Sequence, residues 1–245
     1  MAIRLQCEGS DEIGAFVRLT NGYCLVGLNA QENFVSVFES EFDETIPVIR
    51  CSVAGIKSVG VTTIGNKHGL LLPHNATTDE MLHISNSVPD NVKVQRVDER
   101  LSALGNIIAC NEYVALVHPE ISQETVEIIS DTLKVEVFRM LIGDQNLCGS
   151  YTVLTNRGCL VHPRTTVNQM QELSALLKVP VSAGTVNMGQ ASIGGGLVAN
   201  DWAAFCGSKT TSTELTIIDS IFKLSAEGGN FLNQGVRDAL VESLF

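Results

Sequence analysis

The sequence predicts an α/β protein built as a ring of five ββαβ units, closed by a strand from the N-terminus. Three observations predict it. The first is a self-similar segment that occurs five times: EIGAFVRLTNGYCLVG (12–27), SVGVTTIGNKHGLLLP (58–73), ALGNIIACNEYVALVHP (103–119), LCGSYTVLTNRGCLVHP (147–163) and SIGGGLVANDWAAFCG (192–207). Turn asparagines at Asn21, Asn66, Asn111, Asn156 and Asn200 set steps of 45, 45, 45 and 44. A fixed period of this length marks one supersecondary unit packed against its own copies. The second is a regular switch between strand-like and helix-like apolar spacing inside each period. The third is an imbalance at the ends: the fifth copy lacks a closing strand, and an unassigned strand-like segment, AIRLQC (2–7), opens the chain.

The elements follow in order within each copy. A first strand is expected to begin at or near a glycine: Gly14, Gly60, Gly105, Gly149 and Gly194. In the first copy Ile13, Ala15, Val17 and Leu19 alternate with Phe16 and Arg18, the period-two mark of a strand. Asparagine then makes the tight turn, because it tolerates positive φ and bonds its own backbone; Asn21-Gly22 is the strongest hairpin signal. A short apolar second strand follows: CLVG, LLLP, ALVHP, CLVHP and AAFCG.

A helix comes next. Thr77 with Glu80, Thr166 with Gln169, and Thr211 with Glu214 have capping-box spacing, and Ser122 is a cap without that partner. Met81, Ile84 and Val88 form a core stripe, as do Val126, Ile129 and Leu133, and Met170, Leu173 and Leu177. The first copy has the weakest helix, ENFVSVFESEF (32–42). Third strands read IPVIRCSV (46–53), VKVQRV (92–97), VEVFRM (135–140) and VPVSAG (179–184). The ring is expected to place helices outside and the strand-one glycines around the axis, where backbones approach closely. One repeat domain therefore covers 1–223, in units of about 8–56, 57–101, 102–145, 146–190 and 191–223, with a spacer and tail over 224–245.

Bulk properties narrow the function. The 245 residues are 44% hydrophobic, enough for a substantial core, and no apolar run approaches the ~20 residues that span a bilayer. The opening MAIRLQCEGSDE lacks the apolar stretch of a secretory signal, so an intracellular protein with no membrane partner is expected. A net charge of −11 disfavours broad nucleic-acid wrapping and suits a basic protein surface. The seven cysteines include no CxxC pair and are expected to be reduced and buried, with no metal site.

Catalytic signatures are missing from the sequence: no P-loop, no dinucleotide fingerprint, no HExxH and no GxSxG. Gly194-Gly195-Gly196 precedes a strand and reads as close packing rather than a phosphate cradle. His118 and His162 share a repeat phase and His74 nearly does, so a structural role satisfied by backbone is expected. Trp202, the lone tryptophan, is expected to pack. Cys206 is the best nucleophile candidate, but the fifth copy has no histidine to serve as its base.

Several longer strings resemble a known family. ERLSALGN (99–106), GNKHGLL (65–71), LKVEVFR (133–139), GSY (149–151), VPVSAGTVN (179–187), NDWAAFCG (200–207) and TTSTEL (210–215) are similar to eukaryotic translation initiation factor 6, the large-subunit anti-association factor family. The resemblance covers about 1–223 and implies a pentein fold, a five-fold pseudosymmetric α/β propeller. It also implies a non-enzymatic monomer without cofactor. Its partner would be the intersubunit face of the large (60S) ribosomal subunit, on a ribosomal protein near the sarcin–ricin loop, where it would block joining of the small subunit. Roles in large-subunit biogenesis and export are implied too, in the cytoplasm and the nucleus and nucleolus. Release would need an elongation-factor-like GTPase with the Shwachman–Diamond protein.

The five strand starts share one phase and should emerge at one end of the ring. The expected docking face there is Lys57, Gly60, Gly105, Asn106, Ser150, Tyr151, Asn187 and Ser192; Asn106 and Tyr151 also lie in strings matching the family. Two positions depart from the family pattern, with Val61 and Met188 where arginines are expected. Two other readings stay open: a pentein-type enzyme acting on guanidinium substrates through a thiol such as Cys206, and a scaffold that docks through the tail 236–245.

Overall fold

The structure, a computed structural model, describes residues 1–42 and 45–224. The spacer and tail are predicted over 224–245; from 225 on they lie outside the described residues. The chain opens with β1 (Ile3–Leu5), and five units follow. The first holds α1 (Ile13–Phe16), β2 (Val17–Leu19), β3 (Cys24–Gly27), α2 (Glu32–Phe42) and β4 (Val48–Cys51). The second holds α3 (Val59–Thr62), β5 (Ile64–Gly65), β6 (Gly69–Pro73), α4 (Thr78–Ser87) and β7 (Lys93–Val97). The third holds α5 (Leu104–Ile107), β8 (Ile108–Cys110), β9 (Val114–Val117), α6 (Gln123–Leu133) and β10 (Glu136–Arg139). The fourth holds α7 (Cys148–Tyr151), β11 (Thr152–Leu154), β12 (Cys159–Val161), α8 (Val167–Leu177) and β13 (Val181–Ala183). The fifth holds α9 (Ile193–Gly196), β14 (Leu197–Ala199), β15 (Ala204–Gly207) and α10 (Ser212–Ile221).

Each unit makes one three-stranded sheet, in which the first two strands are antiparallel and the third returns parallel after the helix. The fifth sheet takes its third strand from the other end of the chain: β1 pairs parallel with β15, Ile3 opposite Phe205 and Leu5 opposite Gly207. The Met1 ammonium donates to the Leu224 carbonyl at 2.9 Å, and Ala2 N–H to Asp219 Oδ1 at 2.6 Å, which fixes the splice. The molecule is the closed five-bladed α/β propeller that the sequence and the family resemblance predict.

The glycines explain how five blades meet on one axis. A Cβ on Gly60 would lie 2.0 Å from the Gly14 carbonyl oxygen, and one on Gly105 2.0 Å from that of Gly60. Gly149 faces Gly105, Gly194 faces Gly149 and Gly14 faces Gly194 in the same way, so the succession returns to its start. No other residue fits at such a distance.

Two expectations are corrected. The axial glycines do not start strands; they sit in four-residue helical turns (α1, α3, α5, α7, α9), and the strand begins after each turn. Ile13 and Ala15 therefore belong to α1, and only Val17 to Leu19 are strand. The turn register also differs from the asparagine spacing. The residue that caps each hairpin turn is Thr20, Asn66, Asn111, Thr155 or Asn200, at steps of 46, 45, 44 and 45, the same steps as the glycines. Thr20 Oγ1 and Thr155 Oγ1 accept the same two backbone N–H groups that Asn Oδ1 accepts elsewhere. A threonine can take this role through its hydroxyl. Asn21 and Asn156 stand one position later.

The cores lie between blades, not within them. Phe205 of blade five packs on Phe38 of α2 with ring centroids 4.4 Å apart, and Trp202 packs on the same cluster. The predicted stripes on α4, α6 and α8 face such seams. The three capping boxes form as expected, and Ser122 Oγ accepts from Thr125 N–H. Among the described residues no helix is long and apolar enough to cross a membrane.

Candidate docking face and hub

One end of the ring is built from the connections that lead into the short helical turns. Four of these are tight reversals with left-handed residues: Glu8-Gly9, Ala54-Gly55, Gly143-Asp144 and Asn187-Met188-Gly189. Two are held by the first turn of the long helix in the unit they enter, α4 and α10. Glu80 accepts from Ala54 N–H at 2.9 Å, Gly55 N–H at 2.9 Å and Ser52 Oγ at 2.8 Å, besides closing its capping box. Glu214 accepts from Gly189 N–H at 2.9 Å, Met188 N–H at 3.2 Å and Thr185 Oγ1 at 2.7 Å in the same manner. Burial alone would raise the pKa of both carboxyls; the hydrogen bonds they accept outweigh it and bring each down to about 2. In blade three the direction is reversed, with Glu99 on the connection accepting from Ser122 N–H of the helix cap.

The predicted face residues all lie at this end but not at one depth. Lys57 is exposed, pairs with Glu8 of the neighbouring connection and sits 5.7 Å over the Phe16 ring. Asn106, Ser150, Asn187 and Ser192 are half-buried, as is Tyr151, whose ring meets His162 edge-on at 5.0 Å. Gly60 and Gly105 are buried in the axial ring and lie beneath the surface. Asn187 is engaged in closure: its amide donates to the Asp11 carbonyl at 2.9 Å and accepts from Thr210 Oγ1 at 3.0 Å. Sequence reasoning missed the apolar component of this face. Ile56, Leu141, Leu147 and Met188 are all exposed on these connections, Met188 most of all at 71%. The available signal was an apolar side chain inside a turn that otherwise reads as polar.

Behind the face lies a cavity of about 70 Å³ on the axis, lined by the glycine ring and by Arg18, Asn106, Cys110 and Leu154. No histidine lines it. The Cys110 thiol is pushed up to about 12 by burial. At the far end the hub closes on a polar ring: Asn21 Nδ2 donates to Glu112 Oε1 at 2.8 Å and to Asp201 Oδ2 at 2.7 Å, Asn156 Nδ2 also bonds Asp201, and Lys67 pairs with Glu112. Cys206 is not in the hub. It is fully buried in a blade, its Sγ lies 3.6 Å from the Ile3 carbonyl, and burial raises its pKa. His118 Nδ1 and His162 Nδ1 accept backbone N–H groups of Glu120 and Arg164, the structural role their phase predicts.

Fold and site together define a closed α/β propeller with one turn-built face and, among the described residues, no reactive thiol at its hub. Comparison with known proteins gives the family. The chain belongs to the eIF-6 family, whose pattern matches residues 2–221. It is 52% identical to eukaryotic translation initiation factor 6 of Drosophila melanogaster over 100% of both chains. It is 55% identical to that of Schizosaccharomyces pombe over 99% of both, and 54% identical to that of Ostreococcus lucimarinus over 100% of both. Among solved structures it is similar to the N-terminal domain of ArgZ (TM-score 0.47, 12% identity, 71% of this chain and 67% of that one). It is also similar to a dimethylarginine dimethylaminohydrolase (TM-score 0.45, 10% identity, 70% and 68%). Likeness this distant carries no argument.

Proposed function

We propose that this translation-factor relative is a non-enzymatic blocker of ribosomal subunit joining. It binds the intersubunit face of the large subunit, on a ribosomal protein near the sarcin–ricin loop, and keeps the small subunit away by occupying space. The observation that carries this reading is full-length identity above one half to proteins named eukaryotic translation initiation factor 6. The geometry supports it physically. Steric blocking requires a stiff body and one adhesive face. The closed ring supplies stiffness, and the face offers Lys57, Asn106, Ser150, Tyr151 and Ser192 beside exposed Ile56, Leu141, Leu147 and Met188. A standard interface needs roughly 800 Å² per partner, which one end of such a disc can provide.

With Val61 and Met188 in place of arginines, adhesion here rests more on apolar contact and less on ion pairs. The same reading assigns the protein to large-subunit maturation and export, in cytoplasm, nucleus and nucleolus. It is released by an elongation-factor-like GTPase with the Shwachman–Diamond protein, and it acts as a monomer. The enzyme alternative is disfavoured by a Cys206 thiol that is buried, raised in pKa and outside the hub.

The test is sedimentation of purified subunits with added protein. Co-migration with large subunits and loss of rejoined ribosomes are expected. Protein that stays at the top of the gradient while subunits rejoin would refute the proposal.

A further inference from the structure

One turn of the docking face is built differently from its copies. The bridges Cys7 to Ser10, Val53 to Ile56 and Ile142 to Gln145 enclose two residues each, and Val186 to Gln190 encloses three. The longer turn puts two non-glycine residues in the left-handed region in succession, Asn187 at φ +50° and Met188 at φ +65°. Asparagine tolerates that region; a bulky side chain does not. Apart from glycine, the other described residues of positive φ are charged residues, Ala54 and Asn187, so Met188 is the one large apolar side chain among them. Glycine would hold this backbone without strain. Burial does not offset the strain either, because Met188 is 71% exposed.

The backbone beneath it is nevertheless fixed. Glu214, itself buried, accepts from Met188 N–H at 3.2 Å and from Gly189 N–H at 2.9 Å. Asn187 N–H donates to Thr210 Oγ1 at 3.3 Å, and its amide donates to the Asp11 carbonyl at 2.9 Å and to Gln190 Oε1 at 3.1 Å. Glu80 clamps the Ala54-Gly55 turn in the same way, and exposed Ile56 follows that turn. In unit four the residue at this helix position is Gln169, which bonds the Thr166 cap, and the left-handed residues of that turn are Gly143 and Asp144. Carboxylate clamps thus coincide with displayed apolar side chains. Strain of this kind persists where the surroundings over-determine it, and it gathers at functional sites.

We infer that Met188 is a pre-set anchor of the docking face, inserting its thioether chain into an apolar pocket on a protein of the large subunit, with Glu214 as its positioning residue. The inference rests on the subunit-blocking reading above. A thioether is at most a weak acceptor, so a phosphate backbone offers it no partner. An unbranched methionine fills irregular apolar gaps. Glu12 stands beside the turn, accepting from Gln190 Nε2 at 3.1 Å, so the rim of the matching pocket is basic. Fixing the turn in advance removes an ordering cost from binding.

The affinity of the full-length protein for purified large subunits tests this. Met188→Gly should have a Tm no lower than wild type, since glycine suits the backbone, yet raise Kd at least tenfold. Glu214→Gln should raise Kd too, and in a double-mutant cycle it should add nothing once the methionine is gone. Equal losses from Glu214→Gln with and without Met188 would strip Glu214 of the positioning role. Wild-type binding that survives Met188→Gly unchanged would overturn the anchor and leave the subunit-blocking reading standing. Wild-type protein that does not bind large subunits would overturn both. A benzophenone amino acid at position 188 should crosslink to a ribosomal protein; crosslinks to rRNA, or to a second copy of this chain, would also overturn the inference.

Discussion

Gly60 has no room for a methyl group, since its Cβ would meet carbonyl oxygens at 2.0 Å and 2.5 Å. Both obstacles are backbone, so nothing flexible can yield. Gly60→Ala should cost more than about 2 kcal/mol, read from guanidinium unfolding, against the 1–3 kcal/mol usual for overpacking. Gly9→Ala is the control: nothing lies within 4 Å of its Cβ position, and its cost comes only from a φ of +80°. Glu80 and Glu214 give the pH prediction at this scale. Their folded pKa of about 2 lies below the ordinary 4.5, so their contribution is complete above pH 4.5 and is lost as pH falls from 4.5 towards 2. Wild-type Tm should fall faster across that window than the Tm of Glu214→Gln, and parallel curves would exclude the effect. The sequence carries the axial glycines plainly, because five copies in phase have one cause. It does not carry the second duty of Glu80 and Glu214. A capping box shows which helix start a carboxylate closes, but not which distant turn its other oxygen holds.

At the scale of elements, helices were legible and short turns were not. Helices α4, α6, α8 and α10 each span at least ten residues, long enough for stripe and cap to agree. Helical turns of four residues complete barely one revolution. In α1 the Ile13–Ala15 alternation therefore imitates a strand. The asparagine spacing misses the turn register for a related reason: Thr20 and Thr155 do the work of asparagine, and the asparagines beside them stand one residue on. Thr166→Ala removes a cap without touching the core, and about 1 kcal/mol of destabilisation is expected from thermal unfolding. Phe205→Ala opens the seam between blades one and five, where Phe38 and Phe42 both meet it. A loss of about 3–5 kcal/mol is expected there. A near-neutral result would mean that this seam is loosely packed.

For the whole molecule, closure joins the sequence pattern to the proposed task. Residues 2–7 read as a strand in search of a sheet, and β1 completes blade five. Removing residues 1–7 should expose the β15 edge, break the splice to Asp219 and Leu224, and replace a single unfolding transition by a broader one at lower denaturant. What the sequence could not show was which side chains rise above the rim. The exposure of Ile56, Leu141, Leu147 and Met188 depends on how the turns fold back, and repeat phase says nothing of depth. The most direct measurement of the central claim, a stiff wheel that adheres by its turn-built face, is a density map of the large ribosomal subunit carrying this protein. The account predicts Lys57, Asn106, Tyr151 and Met188 at the contact, with the polar ring of Asn21, Glu112 and Asp201 turned to solvent. A wheel bound through that polar ring, or held by its rim of outer helices, would contradict it.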